Sequence, residues 1–329
     1  MEIRMSVLVL GSEGFVGSAI CDDLLANGYR VVGIDTYLKG YTPTKHFSHS
    51  NFRFINYDLT LPLTHEVGED CDIWIIAAAT LGGVSYFHDN PFDMIGYNSL
   101  LMSQICLSAE RLKPKKIVYL SSSMVYENVI KFPSKEDDLE LYPAPDSAYG
   151  FAKLTGERMI KALSEQHGIS YSICRLFNCV GTDEKFDLPF KQGSVHVLPE
   201  FVYTALTSES DVVNILGNGE QIRCFTDKRD LARGIRLAAE YNVTNECFNI
   251  STPTPTPVSQ LLKKVWMRVR GTSPTIVTGK SLPYDVQVRI PNVDKATRKL
   301  GFRTEYQLDT SIDEVISWMK TQLKQSTKE

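Results

Sequence analysis

Two hydrophobic periods alternate along this chain. Continuous apolar runs at Ser6–Leu10, Arg30–Ile34, Phe52–Asn56, Ile73–Ala77, Lys116–Leu120 and Ser170–Phe177 predict short strands buried on both faces. Apolar residues at helical spacing predict helices at Phe15–Ala26, Met94–Leu112 and Ala148–His167. Gly28, Pro114 and Gly168 mark their ends. Strands alternating with helices over residues 1–177 imply βαβ units, hence an α/β fold with a Rossmann-type doubly wound parallel sheet.

The second half is less regular. Thr182–Ser194 is polar, contains glycine and reads as an irregular loop. Val195–Thr207 and Phe225–Tyr241 read as helices, and Val212–Leu216 and Phe248–Ser251 as strands. Gly217-Asn218-Gly219 is a turn signal. In the Thr/Pro alternation from Thr252 to Pro257, Pro257 is expected in the first turn of a helix with Thr256 as its cap. The expected division is a sheet domain over 1–178, with a return segment near 223–252, and a smaller mixed α/β C-terminal region over 179–329.

Composition removes several function classes. Of 329 residues, 43% are hydrophobic and 22% charged, and the net charge is -4. That is ordinary for a globular protein, and it provides no positive field for nucleic acid or an anionic membrane. The apolar runs are too short to span a bilayer. Met-Glu-Ile-Arg runs directly into a strand, unlike a signal peptide. The seven cysteines are scattered without a CxxC pair, which indicates neither a disulfide framework nor a zinc site. A cytoplasmic protein with no metal, nucleic-acid or membrane partner is expected.

Candidate chemistry begins at Gly11-Ser12-Glu13-Gly14-Phe15-Val16-Gly17, between the first strand and the first helix. Glycines there let backbone N–H groups approach a pyrophosphate at the helix N-terminus. Asp35 ends the next strand, where an acid accepts hydrogen bonds from an adenosine ribose. It would repel a 2′-phosphate, and the following Thr36 is uncharged, so NAD is favoured over NADP. Asp58-Leu59 could meet the adenine, or Asp58 could simply cap a turn. Ala77-Ala78-Ala79 gives small side chains where a cofactor crosses the strand ends, although packing alone would also explain them. Tyr149 and Lys153 lie four apart on one helix face. A free phenol is a weak base at neutral pH, and a neighbouring ammonium should lower its pKa. Ser122, in the Ser121-Ser122-Ser123 run after a strand, could hydrogen-bond a substrate alcohol.

In order, the motifs are GSEGFVG, Asp35, Asp58-Leu59, YLSSSMVYE, AYGFAK, ICRLFNCVG, GNGEQIRCFT and a late Arg289. Together, over nearly the whole chain, they resemble the extended short-chain dehydrogenase/reductase family. The resemblance is to its nucleotide-sugar epimerases and dehydratases, with patterns like UDP-glucose 4-epimerase and GDP-mannose 3,5-epimerase. It implies a Ser122–Tyr149–Lys153 triad, Asn98 holding the active-site helices near the cofactor, and Phe177 beside the nicotinamide. It implies Asn178, Arg223 and Arg289 at the diphosphate of a nucleotide-linked sugar. Thr80, Gly82, Gly83, Ser123, Met124, His196 and Leu198 would meet the sugar or its nucleotide. A homodimer through the Met94–Leu112 and Ala148–His167 helices is also implied.

Branches of that family differ beside the serine. Its 4,6-dehydratases place an Asp-Glu pair where this chain has Ser123-Met124, and its glucuronate decarboxylases place a Glu at Met124. The 3,5-epimerases use a Cys and a Lys at the positions of Met124 and His196. A thioether carries no transferable proton. The resemblance therefore favours inversion at C4 through a 4-keto sugar, with a one-way 4-ketoreductase or 4-dehydrogenase as the alternative. A non-catalytic nucleotide sensor is disfavoured because Ser122, Tyr149 and Lys153 are all kept.

Overall fold

A computed structural model describes residues 4–36, 46–64, 71–80, 89–186, 188–189, 192–193, 195–240, 243–280 and 286–326. Its strands are β1 (Arg4–Leu10), β2 (Tyr29–Asp35), β3 (Phe52–Asn56), β4 (Ile73–Ile76), β5 (Lys116–Ser122) and β6 (Ser170–Leu176). Then come β7 (Cys179–Val180), β8 (Val212–Ile215), β9 (Ile222–Arg223), β10 (Thr226–Asp227), β11 (Glu246–Ile250), β12 (Thr256–Pro257) and β13 (Thr275–Thr278). The helices are α1 (Phe15–Ala26), α2 (Pro91–Leu112), α3 (Ala148–His167), α4 (Val197–Thr207), α5 (Lys228–Ala239), α6 (Val258–Arg270), α7 (Asp294–Leu300) and α8 (Leu308–Ser326).

Among the described residues seven strands form one sheet in the order β3-β2-β1-β4-β5-β6-β11. Every pairing in it is parallel. This is the doubly wound order, reversing between β1 and β4, with one further strand at the edge. Strand alternation divides the apolar residues between the two faces. Val7, Val9, Ile73, Ile75 and Val118 pack under α1, α5 and α7. Leu8, Leu10, Trp74, Ile76 and Tyr119 pack under α2 and α3. A separate apolar cluster joins α4, α6 and α8 through Phe201, Trp266 and Val315, beside the parallel β8–β13 pair.

Most differences from the sequence reading lie in the second half. Strand β5 runs on through Ser121 and Ser122, which stay in register with Arg175 and Leu176 of β6. Helix α5 starts at Lys228, because the Asp227 carboxylate accepts from the Arg229 N–H and caps it. Phe225 lies in the link between β9 and β10. Helix α4 starts at Val197, with His196 as its flanking residue. Thr256 is not a cap: it pairs antiparallel with Arg223, and Pro257 stands just outside α6 with no side-chain capping bond. Extended pairing with β9 has replaced the expected first turn.

Candidate active site

The glycine turn is fixed by steric contact. Gly11 has φ +88, and a Cβ on it would lie 2.6 Å from the Ala78 nitrogen. The Gly11 and Ser12 N–H groups donate to the Ile34 carbonyl at 2.7 and 3.1 Å. Helix α1 opens on Gly14, which has no side chain to cap it, leaving its first N–H groups for an anion. Val16 packs on the sheet core. The Asp35 carboxylate accepts from Glu13 N and Thr36 N, both at 2.8 Å, so its oxygens are oriented beside the turn. This cradle fits a dinucleotide pyrophosphate and ribose.

The neighbouring strand ends are equally constrained. Ala77 N donates to the Leu10 carbonyl at 2.9 Å, and Ala78 packs on the α2/α3 side. Ala79 is half-buried. Asn98 of α2 accepts from Thr80 N at 2.9 Å and donates to the Thr80 and Met94 carbonyls at 3.2 and 2.8 Å. It therefore pins the chain leaving β4 onto α2. Leu59 is buried, whereas one oxygen of exposed Asp58 accepts from Thr60 N and Oγ1 at 2.9 and 2.8 Å. That is the turn-capping geometry. Gly82 and Gly83 lie outside the described residues.

Ser147 caps α3 by accepting from Gly150 N, which places Tyr149 and Lys153 in the first turns beside the end of β5. The Tyr149 phenol is hydrogen-bonded to Ser122. Lys153 Nζ donates to the Leu120 carbonyl at 2.9 Å and lies 6.0 Å from the Tyr149 ring centre. Ala78, Asn98, Tyr149 and Lys153 line one small cavity, with Met102, Tyr119 and Ala152. Candidate cofactor residues and two members of the triad therefore meet in one place.

The electrostatics differ from the expectation. Burial pushes the Tyr149 phenol up, and the Ser122 hydrogen bond and the Arg289 charge pull it back only in part. The opposing influences are Ser122 and Arg289 rather than Lys153, whose ammonium is engaged with Leu120. Burial lowers Lys153 to about 8, opposed by the Glu157 carboxylate.

Ser123 is buried, and Met124 N donates to Ser122 Oγ at 3.2 Å. Phe177 is buried against Tyr126, ring centres 6.2 Å apart. Asn178 Oδ1 is a buried acceptor without a hydrogen-bond partner among the described residues, as suits a group awaiting a ligand donor. Arg223 and Arg289 reach neighbouring segments, since Arg289 N donates to the Ile222 carbonyl at 3.1 Å. The Arg223 Nη1 donates to the Ile222 carbonyl at 3.0 Å. Leu198 is fully buried in the α4 core, which commits its side chain to packing.

Two contacts, His196 with Glu184 and Glu157 with Arg175, carried no clear signal in the sequence. His196 Nδ1 is 2.7 Å from Glu184 Oε1, and its ring lies 5.8 Å from that of Phe15. The segment before α4 is thereby set over the glycine turn. Glu157, one turn past Lys153, is fully buried against Arg175. Its four-residue spacing from Lys153 was the one hint available.

The family model described as "NAD dependent epimerase/dehydratase family" matches residues 7–251. A putative UDP-glucose 4-epimerase of Methanocaldococcus jannaschii is 30% identical, covering 95% of this chain and 98% of that protein. UDP-glucuronic acid decarboxylase 1 of Xenopus tropicalis is 26% identical over 98% of this chain and 73% of its own length. The crystal structure of UDP-glucuronic acid 4-epimerase from Bacillus cereus, in complex with UDP-glucuronic acid and NAD, superposes with TM-score 0.82. It is 26% identical and covers 97% of this chain and 100% of that one.

Proposed function

This chain belongs to the NAD-dependent epimerase/dehydratase family, and from that premise we propose that it inverts C4 of a nucleotide-diphosphate sugar through a 4-keto intermediate. The observation that carries the reading is the Tyr149–Ser122 hydrogen bond, with Tyr149 lining one cavity together with Lys153, Ala78 and Asn98. NAD, when bound, would supply the acceptor for the C4 hydride and the donor that returns it. The glycine turn would hold its pyrophosphate, and Asp35 the adenosine ribose.

Tyr149 takes the C4 hydroxyl proton as the carbonyl forms and gives it back when the carbonyl is reduced. A reversible role of this kind needs both a base and an acid. Ser122 and Arg289 favour the phenolate, and burial favours the phenol. Lys153, when protonated, places positive charge 6.0 Å from the centre of the Tyr149 ring. Arg223, Arg289 and Asn178 hold the diphosphate, around which the keto sugar turns to offer its other face.

A decarboxylase reading draws on the relative named above. Met124 stands against it, because a thioether occupies the place of that branch's carboxylate. A one-way 4-ketoreductase or 4-dehydrogenase would use the same triad. The deciding experiment incubates purified protein with UDP-glucose, UDP-glucuronic acid and their N-acetylated counterparts. Products are separated by chromatography and mass spectrometry, and NADH absorbance is followed. Interconversion of C4 epimers without net NADH supports the proposal. Released carbon dioxide, or stoichiometric NADH, overturns it.

The proposed assembly is a homodimer through α2 and α3. Phe92, Ile95, Leu100 and Leu107 on α2 and Phe151 on α3 are exposed. Among the described residues no helix is long and apolar enough to cross a membrane.

A further inference from the structure

Tyr149, Lys153 and Glu157 follow one another at four-residue intervals down α3, and so share a face of the helix. The deepest of them is completely enclosed: Glu157 is 0% and Arg175 1% exposed. Glu157 Oε1 accepts from Ser121 Oγ at 2.6 Å and from Arg175 Nε at 2.9 Å. Its Oε2 accepts from Arg175 Nη2 at 2.7 Å. The Arg175 Nη1 donates to Tyr126 OH and to the Glu136 carbonyl, both at 2.8 Å. Tyr126 OH in turn donates to Asn249 Oδ1 at 2.8 Å.

Burying an ion pair is expensive, and an apolar pair of equal volume commonly serves stability as well. Its value here lies in what it holds. Ser121 immediately precedes Ser122, and Tyr126 closes the short turn that follows it. Both are fastened to the same charge pair. Leu120, one residue further back, is fastened to α3 by Lys153. The backbone on either side of the Ser122 hydroxyl is thus tied to the helix that carries Tyr149.

We propose that Glu157 is a positioning residue of this active site, acting through Ser121 and Arg175 to hold the Ser122 hydroxyl against Tyr149. The inference rests on the triad reading given above. It assigns Glu157 no proton transfer and no contact with substrate.

The test compares wild type, Ser121→Ala, Glu157→Gln and Tyr149→Phe on whichever UDP-sugar of the panel is turned over. Ser121→Ala removes one hydroxyl and leaves the ion pair intact. It is expected to lower kcat about tenfold with KM within about twofold, because only the reacting geometry changes. Glu157→Gln keeps the shape but takes the negative charge from beside Lys153. Its alkaline limb of kcat should move to lower pH by about one unit, a change that loosened packing would not produce. Wild-type kcat and an unmoved pH profile in a folded variant overturn the proposal. So does a loss in Ser121→Ala that appears only in KM. If Glu157→Gln does not fold, Ser121→Ala decides alone. Activity surviving in Tyr149→Phe breaks the triad reading instead, so the two failures are distinguishable.

Discussion

A Cβ placed on Gly17 would come within 1.9 Å of the Gly11 carbonyl oxygen, whereas one on Gly14 would stand 3.4 Å from the same atom. The two glycines of one turn therefore do different things. Gly17 lets α1 lie against the turn, and Gly14 leaves space where a pyrophosphate would come. Gly17→Ala should destabilise the fold by about 1–3 kcal/mol through overpacking. Gly14→Ala should leave the thermal midpoint near wild type and weaken NAD by about tenfold or more. Thermal unfolding and NAD titration of both variants check this. Equal effects of the two on stability would refute the division.

Tyr149 and Lys153 make opposite demands on pH. Tyr149→Phe should lower turnover about a hundredfold or more, the usual worth of a general acid–base, while NAD binding measured by calorimetry persists. Lys153 titrates at about 8 in the fold against 10.5 as a free side chain. Its ammonium is present below about 8, so activity should fall as pH rises through that value. Stability runs the other way. Above about 8 the unfolded chain binds the proton that the folded chain has lost, so the penalty of burying this lysine is relieved as pH rises. Lys116, also lowered to about 8 by burial, contributes with the same sign. The useful window closes near 9.0, where buried thiols such as Cys174, raised to about 12, begin to favour the unfolded chain. Between those limits the wild-type midpoint should gain more than that of Lys153→Met while kcat declines. Parallel loss of both in wild type would contradict this account.

How much of this could be read in the sequence depends on the range of the contacts. The seven strands of the main sheet and the first three helices were legible because parallel β and α packing impose their own hydrophobic periods. Asp35 and the glycine turn were legible because strand ends and helix starts fix them locally. Glu157 was not, since a Glu four residues after a Lys ordinarily reads as an exposed helix pair. Only Arg175, on another element, makes it a buried charge. Thr256 was misread because its partner Arg223 lies on a distant strand. His196 and Glu184 are twelve residues apart across a segment without periodicity, so no pattern joins them.

That pair yields its own prediction. The Glu184 charge raises the His196 imidazole above its ordinary value. Burial pushes Glu184 up, but the His196 charge and hydrogen bonds outweigh it, and the carboxyl lies below its usual range. The histidine's contribution to stability is complete below 6.5 and is lost as pH rises through its folded value; the glutamate's is complete above 4.5 and lost on acidification. The contact should hold the segment before α4 over Phe15 most firmly between those two values. His196 followed by NMR should titrate above 6.5, and Glu184→Gln should return it towards that value. An unchanged midpoint in Glu184→Gln would remove the pair from the account.

The α2 surface supports a prediction about assembly. Phe92 is 79% and Leu107 59% exposed, although α2 already buries its other side against the sheet through Leu101, Met102 and Ile105. With large apolar side chains exposed on its outer side, α2 offers a surface suited to a second partner. An isologous contact of α2 and α3 with their copies would cover it. Light scattering should therefore give twice the 37.0 kDa chain mass. Ile95→Glu combined with Leu107→Glu places charge in the middle of that contact and should yield a monomer. Because Tyr149 and Lys153 lie at the start of α3, facing β5 and away from the exposed Phe151, the monomer should keep its NAD affinity. A charged double variant that remains dimeric would place the interface elsewhere.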